Sequence, residues 1–310
     1  MTNQPENTPA APQAPFPTPQ TLFRVVGLRP DFDRTLQATF RAVSAKPTNE
    51  EAMATKHIRA ADSPVDIVRL APLSRGVVQL FWIQRMDEVG VAALPAIVRR
   101  LKSSQSIGDE GARHLVCERL IGALKRLGEV GGGPLLECFN FLDDYSQSIA
   151  AVTLGAMHVA AAAEPIGRFL QRMQNNPQVG YFVGACWGLI DLQAADLDAY
   201  LADLLSAEPQ KLFAELYPFT ALGGGKACVR PLAARFGAAL KDGDRYSGER
   251  DDILMALAAV GQRIGQAEFE AELHNSLEPE ASAEALAGVA ASRTPQEVAH
   301  YFQMYYERPN

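Results

Sequence analysis

The side chains best suited to metal binding or nucleophilic chemistry are cysteines and histidines, and their spacing matches no metal-binding motif. They are Cys117, Cys138, Cys186, Cys228, His57, His114, His158, His274 and His300. The two closest cysteines are 21 positions apart, so the Cys-x-x-Cys pair that is typical of zinc sites does not occur. No His-Glu-x-x-His sequence occurs either. We therefore expect structural histidines and reduced, buried cysteines, with no metal or other cofactor.

Two glycine-rich runs could in principle bind a phosphate. EVGGGP, at residues 129–134, lacks the Gly-Lys-Ser/Thr sequence of a phosphate-binding loop. In LGGGKACVRP, at residues 222–231, Lys226 and Arg230 follow three glycines, and the N–H groups at the start of a helix can bind an anion. For both runs the favoured interpretation is a turn between helices.

One pair of adjacent carboxylates, Asp143 and Asp144, could act as general acid and base. Because Tyr-Ser follows them at the start of a helical pattern, we expect them to cap that helix instead. No nucleophile elbow of the Gly-x-Ser-x-Gly type supports a Ser–His–Asp triad. The sequence thus presents no coherent catalytic set, and a noncatalytic protein is the favoured interpretation.

The overall composition narrows the classes of partner. The chain has 310 residues, of which 47% are hydrophobic, and a net charge of −7. An acidic chain argues against nonspecific binding to nucleic acid or to an anionic membrane. No run is long and apolar enough to span a bilayer, and the cysteine usage suits a reducing cytoplasm, so we expect a cytoplasmic protein. Residues 1–20 contain six prolines and predict a disordered tail.

The elements that must position any site are helices, because apolar residues recur at i, i+3, i+4 and i+7. Five such quartets begin at steps of 41, 31, 31 and 32 positions. The quartets are Leu94, Ile97, Val98 and Leu101; Leu135, Cys138, Phe139 and Leu142; Ile166, Phe169, Leu170 and Met173; Leu197, Tyr200, Leu201 and Leu204; and Val229, Leu232, Ala233 and Phe236. A sixth quartet, beginning at Val298, predicts a closing helix.

A second helical segment precedes each quartet, so every unit is predicted to be a helical hairpin. Gly122, Gly155 and Gly188 recur in these first helices at intervals of 33 residues. A glycine inside a helix costs about 1 kcal/mol relative to alanine, so its recurrence predicts close approach of a neighbouring helix. EVGGGP is predicted to form the turn of one hairpin. Pro95, Pro134 and Pro165 are predicted to lie in the first turn of a second helix.

The stretch RLGEVGGGPLLECFNFLDDYSQSIAAVTLGAMHVAAAAEPIGRFLQRM, residues 126–173, resembles the short, phycobilisome-lyase-type repeats of the HEAT-repeat superfamily. Leu127-Gly128, Pro134, Asp143-Asp144, Leu154 and Pro165 fall on that family's repeating positions. The resemblance implies an all-α, right-handed α-solenoid of stacked helical hairpins, with helical caps at both ends. The predicted division is a tail at 1–20, capping helices at 21–72, repeats at 73–241, and degenerate repeats with a closing helix at 242–310.

By that resemblance, the polar positions of the second helices form a concave surface that binds another protein. The predicted binding residues are Arg99, Arg100, Glu137, Asn140, Arg168, Gln171, Arg172, Asp198, Arg230 and Arg235, and Lys102, Asp143 and Asp203 lie in the same rows. Basic and acidic rows alternate, which favours a protein of complementary charge over a uniform polyanion. The alternative is that these charges only solvate exposed helix faces.

A noncatalytic scaffold or assembly factor is therefore the leading functional hypothesis. The resemblance leaves a second one open, a phycobilin lyase-like enzyme or a pigment-protein turnover factor that binds a tetrapyrrole, although no residue can be assigned to bilin chemistry. Nucleic-acid binding ranks last because it needs a strongly basic surface.

Overall fold

The computed structural model describes residues 48–173, 179–207, 216–242 and 247–292, and within these ranges all regular structure is helical, without a strand. The α-helices are α1 Asn49–Ala60, α2 Pro64–Arg69, α3 Val78–Val89, α4 Leu94–Lys102, α5 Glu110–Arg126, α6 Glu129–Cys138, α7 Asp144–Ala156, α8 Ala163–Arg172, α9 Val179–Asp191, α10 Leu197–Leu205, α11 Leu216–Gly223, α12 Val229–Asp242, α13 Ser247–Ile264, α14 Gln266–Ser276 and α15 Pro279–Ala291. Short 3₁₀ turns lie at Ala71–Leu73, Gly90–Ala93, Ser104–Ser106, Phe139–Phe141, Ala160–Ala162 and Lys226–Cys228. The predicted all-α class is confirmed.

The principal contacts join helices that are close in sequence, in two series. One series consists of the first helices of the hairpins, in which α3, α5, α7, α9, α11 and α13 each pack on the next. The other consists of second helices, in which α4 packs on α6, and α8, α10, α12 and α14 pack in turn. The two series contact each other at pairs such as α5 with α6 and α12 with α13.

The predicted quartets form the buried side of the second helices. Seventeen of their twenty residues are buried, and Leu94, Val98 and Tyr200 are half-buried against the same core. Aromatic side chains continue this core from one hairpin to the next, since Phe139 meets Phe169 edge to face with ring centroids 6.1 Å apart. The periodicity therefore identified the core side of these helices.

Glycines in the first helices allow α7 and α9 to approach at backbone distance, as predicted for Gly155 and Gly188. A Cβ on Gly155 would lie 2.7 Å from Cα of Gly188, and one on Gly188 would lie 2.5 Å from the carbonyl oxygen of Ala151. Gly184 continues the contact, because its Cβ would lie 2.7 Å from the carbonyl oxygen of Ser148. We call this contact the glycine seam.

The prediction that EVGGGP forms a hairpin turn is wrong. The turn is Leu127-Gly128, with Gly128 at φ 62°, and α6 already begins at Glu129, so the glycines lie inside the helix. Close neighbours explain two of them, because a Cβ on Gly131 would overlap the carbonyl oxygen of Leu124 and one on Gly132 would lie 2.7 Å from a methyl carbon of Val159. Pro134 consequently lies in the interior of α6, whereas Pro95 and Pro165 do lie in the first turns of α4 and α8.

The ends of the chain are described only in part. Of the predicted capping region 21–72, α1 and α2 are described, and α1 begins with a capping box between Thr48 and Glu51. Met53 and Leu73 are exposed and help line a groove of about 700 Å³ at this end. The predicted tail at 1–20 and the closing helix beginning near Val298 lie outside the described residues.

Candidate functional site

All ten predicted binding residues lie on second helices or directly after one, and none is buried. Arg99 and Arg100 are on α4, Glu137 is on α6, and Asn140 follows α6 in the 3₁₀ turn. The others are Arg168, Gln171 and Arg172 on α8, Asp198 on α10, and Arg230 and Arg235 on α12. The helical pattern therefore identified which positions of these helices reach solvent.

Five of these residues are engaged within the chain. Their bonds are Glu137 with Lys102, Arg168 with Glu164 at 2.8 Å, Arg172 with Asp144 at 2.6 Å, Asp198 with backbone N–H groups, and Arg235 with the carbonyl oxygens of Leu205 and Ala207, both at 2.5 Å. Three of the five, those of Glu137, Asp198 and Arg235, link neighbouring hairpins, whereas the bond of Arg172 joins the two helices of one hairpin and that of Arg168 lies within α8. Part of the charge alternation seen in the sequence therefore holds neighbouring units together.

Asp198 also accounts for the second glycine-rich run. Its carboxylate accepts hydrogen bonds from the N–H groups of Gly225, at 2.5 Å, and Ala227, at 2.8 Å. Lys226 pairs with Glu268, at 2.8 Å, and with Glu272. Lys226 and two of the N–H groups that could bind an anion at LGGGKACVRP are thus already satisfied by the described chain, whereas Arg230 is not, and the run lies at the turn between α11 and α12, as predicted.

The remaining predicted residues are those available to a partner. Within the described part of the chain, Arg99, Arg100, Asn140, Gln171 and Arg230 have no side-chain hydrogen bond or ion pair. Three of the five are arginines, and none is acidic. This subset of the second-helix surface is positively charged although the chain is acidic overall.

Phe141 is an exposed aromatic residue that the sequence did not single out. It ends the 3₁₀ turn after α6, and 49% of it is exposed. Lys102 of α4 lies over its ring, with Nζ 5.3 Å from the centroid, and Gln105 donates a hydrogen bond to its carbonyl oxygen at 3.4 Å. The helical quartet could have indicated it, since Phe139 and Leu142 take the core positions of this segment and leave Phe141 on the outer side.

A polar cluster forms where α5 meets the start of α7, around Asp143. As predicted, Asp143 caps α7, because Oδ1 accepts from the N–H of Ser146 at 2.9 Å. Its Oδ2 accepts from Nε of Arg113 at 2.6 Å and lies 3.4 Å from Nε2 of His114. Burial opposes the charge of the Asp143 carboxyl, but hydrogen bonds from Ser146 and Arg113 outweigh it and lower its pKa.

Aromatic side chains extend this cluster along the first helices. His114 stacks on Tyr145 with centroids 4.1 Å apart, and Tyr145 meets Tyr181 edge to face at 6.4 Å. Tyr145 donates a hydrogen bond to Glu118, and burial together with this carboxylate raises the pKa of the tyrosine. A phenol held in its protonated form is a poor base or nucleophile, so the arrangement favours a structural role.

The cysteines offer no reactive thiolate. All four are buried and unpaired, and burial raises the pKa of each thiol, that of Cys138 to about 11. Among the described residues, no three histidine, cysteine or acidic side chains are placed so that they could hold a metal ion. The described helices also include none that is both long and apolar enough to cross a membrane.

Comparison with known proteins gives no match: no family model, no curated protein and no solved structure matches the chain. The resemblance to HEAT-like repeats therefore stays a prediction that rests on the residues themselves. Any functional conclusion must come from the surface just described.

Proposed function

We propose that the chain is a noncatalytic protein-binding module, built as a right-handed α-solenoid of HEAT-like hairpins whose second helices carry the binding surface. The packing of consecutive first helices on one another, and of most consecutive second helices likewise, supports this architecture. An experimental structure whose hairpins closed into a compact bundle, instead of continuing in one direction, would contradict it.

One observation carries the functional part of the proposal. Two second helices, α4 and α12, expose arginines that the described chain itself does not use, whereas most of the other charges on the second helices are bonded internally. Arginine is enriched in protein interfaces, and arginines left in water gain binding free energy when a partner supplies carboxylates. The partner is therefore a protein with a negatively charged surface.

Affinity purification of the tagged chain from its native cells, after mild cross-linking, tests the proposal. Mass spectrometry should find one protein in stoichiometric amount. A variant with Arg99→Ala, Arg100→Ala and Arg230→Ala should lower its recovery by at least about tenfold. A matched control removes three exposed positive charges that lie before α3, through Lys56→Ala, Arg69→Ala and Arg75→Ala, and it should retain the partner.

The absorption spectrum of the same eluate tests the tetrapyrrole alternative. A visible absorption band that follows the protein through gel filtration would favour pigment chemistry over the scaffold. A wild-type eluate with neither partner nor pigment would refute both hypotheses.

A further inference from the structure

Phe141 stands out among the second-helix residues because its aromatic ring is half exposed. The other large side chains of its turn are buried: Phe139 is 1% exposed and Leu142 is 5% exposed. Exposed aromatic residues on a polar surface mark sites where a partner removes apolar area from water. The position of Phe141 directly after α6 places its ring beside the row of second-helix charges.

Positive charge surrounds this ring on the side of α4. Lys102 lies over it while also pairing with Glu137, so the Lys102–Glu137 pair is nearly neutral. Arg99 lies one turn before Lys102 on the same face of α4, is exposed, and has no partner within the described residues. The uncompensated charge on the face of α4 that carries Lys102 is therefore positive.

We propose that Arg99, Lys102, Glu137, Asn140 and Phe141, here called the Phe141 patch, bind an acidic segment of the partner that carries an apolar side chain. The inference rests on the proposed function and specifies which part of the surface is used and for what. The apolar side chain packs on the Phe141 ring, a carboxylate pairs with Arg99, and the amide of Asn140 binds the peptide backbone of the segment.

Charge argues for a carboxylate-bearing protein segment over a nucleic acid. A phosphate backbone presents regularly spaced charges and needs a row of unpaired cations, whereas among the described residues the patch has one unpaired cation, Arg99, because Lys102 pairs with Glu137. The net charge of −7 also disfavours the approach of a long polyanion. A short acidic segment needs only the local positive charge of the patch.

Fluorescence anisotropy with labelled peptides tests the chemistry directly. The probe is a short peptide of glutamate and serine with a central pair of leucines. The controls are the same peptide with serine for leucine, and with lysine for glutamate. Full-length wild-type protein should bind the probe at least tenfold more tightly than either control peptide. No measurable binding of the probe at millimolar protein, or equal binding of all three peptides, would overturn the proposal.

Variants of the protein test whether the probe peptide binds at the Phe141 patch. Phe141→Ala should weaken probe binding about tenfold, and Arg99→Glu should weaken it and reduce its dependence on salt. The matched controls are Val130→Ala, which removes an apolar side chain that is 53% exposed elsewhere, and Arg75→Glu. All four residues are exposed, so circular dichroism should show unchanged folding. Equal effects of Phe141→Ala and Val130→Ala would refute the assignment.

The cross-linked complex separates failure of the patch from failure of the proposed function. If the partner is captured equally by wild type and by the Phe141→Ala, Arg99→Glu double variant, the patch proposal is overturned and the binding function stands. If wild type captures nothing, the proposed function falls. Sedimentation velocity covers self-association: a wild-type dimer that Phe141→Ala converts to a monomer would make a second copy the occupant and overturn the proposal of a separate acidic partner.

Discussion

The glycine seam between α7 and α9 predicts that adding one methyl group will destabilise the fold. In Gly188→Ala, the new Cβ would lie 2.5 Å from the carbonyl oxygen of Ala151 and 2.9 Å from its carbonyl carbon. Both atoms belong to the backbone of a helix, so no side chain can rotate out of the way. The two helices must move apart, and that movement also opens the contact at Gly155.

The expected size follows from two opposing contributions. Alanine is favoured over glycine within a helix by about 1 kcal/mol. Overpacking a closely packed contact costs about 1–3 kcal/mol, and a clash with backbone belongs at the upper end of that range. The net loss in the free energy of unfolding should therefore be about 2 kcal/mol. For a chain of this size this lowers the melting temperature by roughly 4 °C.

Thermal and urea unfolding followed by circular dichroism measure this difference, with Gly133→Ala as the matched control. Gly133 is also helical, in α6, but it is exposed, and a Cβ there would have no neighbour within 4 Å. Alanine should raise the stability at Gly133 by up to about 1 kcal/mol. If Gly188→Ala also raised the melting temperature, the close approach of the two helices would be refuted.

Three further predictions concern charges and thiols. Asp198→Ala should lower the free energy of unfolding by about 1–2 kcal/mol, because the N–H groups of Gly225 and Ala227 lose their acceptor. Urea titration measures this loss. An unchanged midpoint would contradict the contribution of these two hydrogen bonds to stability. Burial, together with Asp251 and Glu249, raises the pKa of Asp252 to about 7, so the folded state binds this proton more tightly than the unfolded state. Stability should therefore fall as pH rises from about 4 to about 7. Asp252→Asn should remove this loss and stabilise the protein at pH 8 by about 1–3 kcal/mol. If wild type and Asp252→Asn had the same dependence of stability on pH, the burial of that charge would be refuted. The four thiols should react with an aromatic disulfide reagent only after unfolding in urea, and fast reaction of any of them in the folded protein would show that a thiol assigned to the core is accessible.

The sequence predicted the core of the second helices well because burial at helical spacing is a local property. The quartet beginning at Ile166 is buried throughout, since its spacing and its apolar character point to the same side of one helix. The prediction for EVGGGP was wrong because its conformation depends on residues outside the run. Whether a glycine run forms a turn or lies within a helix depends on what packs against it, and Val159 of the next turn is not visible from the run itself.

The candidate surface could be predicted only as a set of exposed positions. Which of those charges remain available depends on bonds between units, such as Lys102 with Glu137, 35 residues apart, and Asp198 with Gly225, 27 residues apart. Such pairs require the register of one hairpin on the next, which periodicity within each helix does not provide. The exposure of Phe141 was missed because it adjoins Phe139, whose burial the pattern did indicate.

The near-neighbour packing of the helices also bears on how the chain is made. Because the principal contacts of each hairpin are with the hairpins before and after it, its main partners are synthesised within a short interval. Contacts of low sequence separation form quickly, so neighbouring hairpins can pack soon after both have been made. Folding can thus proceed during translation, with each new hairpin packing on the one made before it.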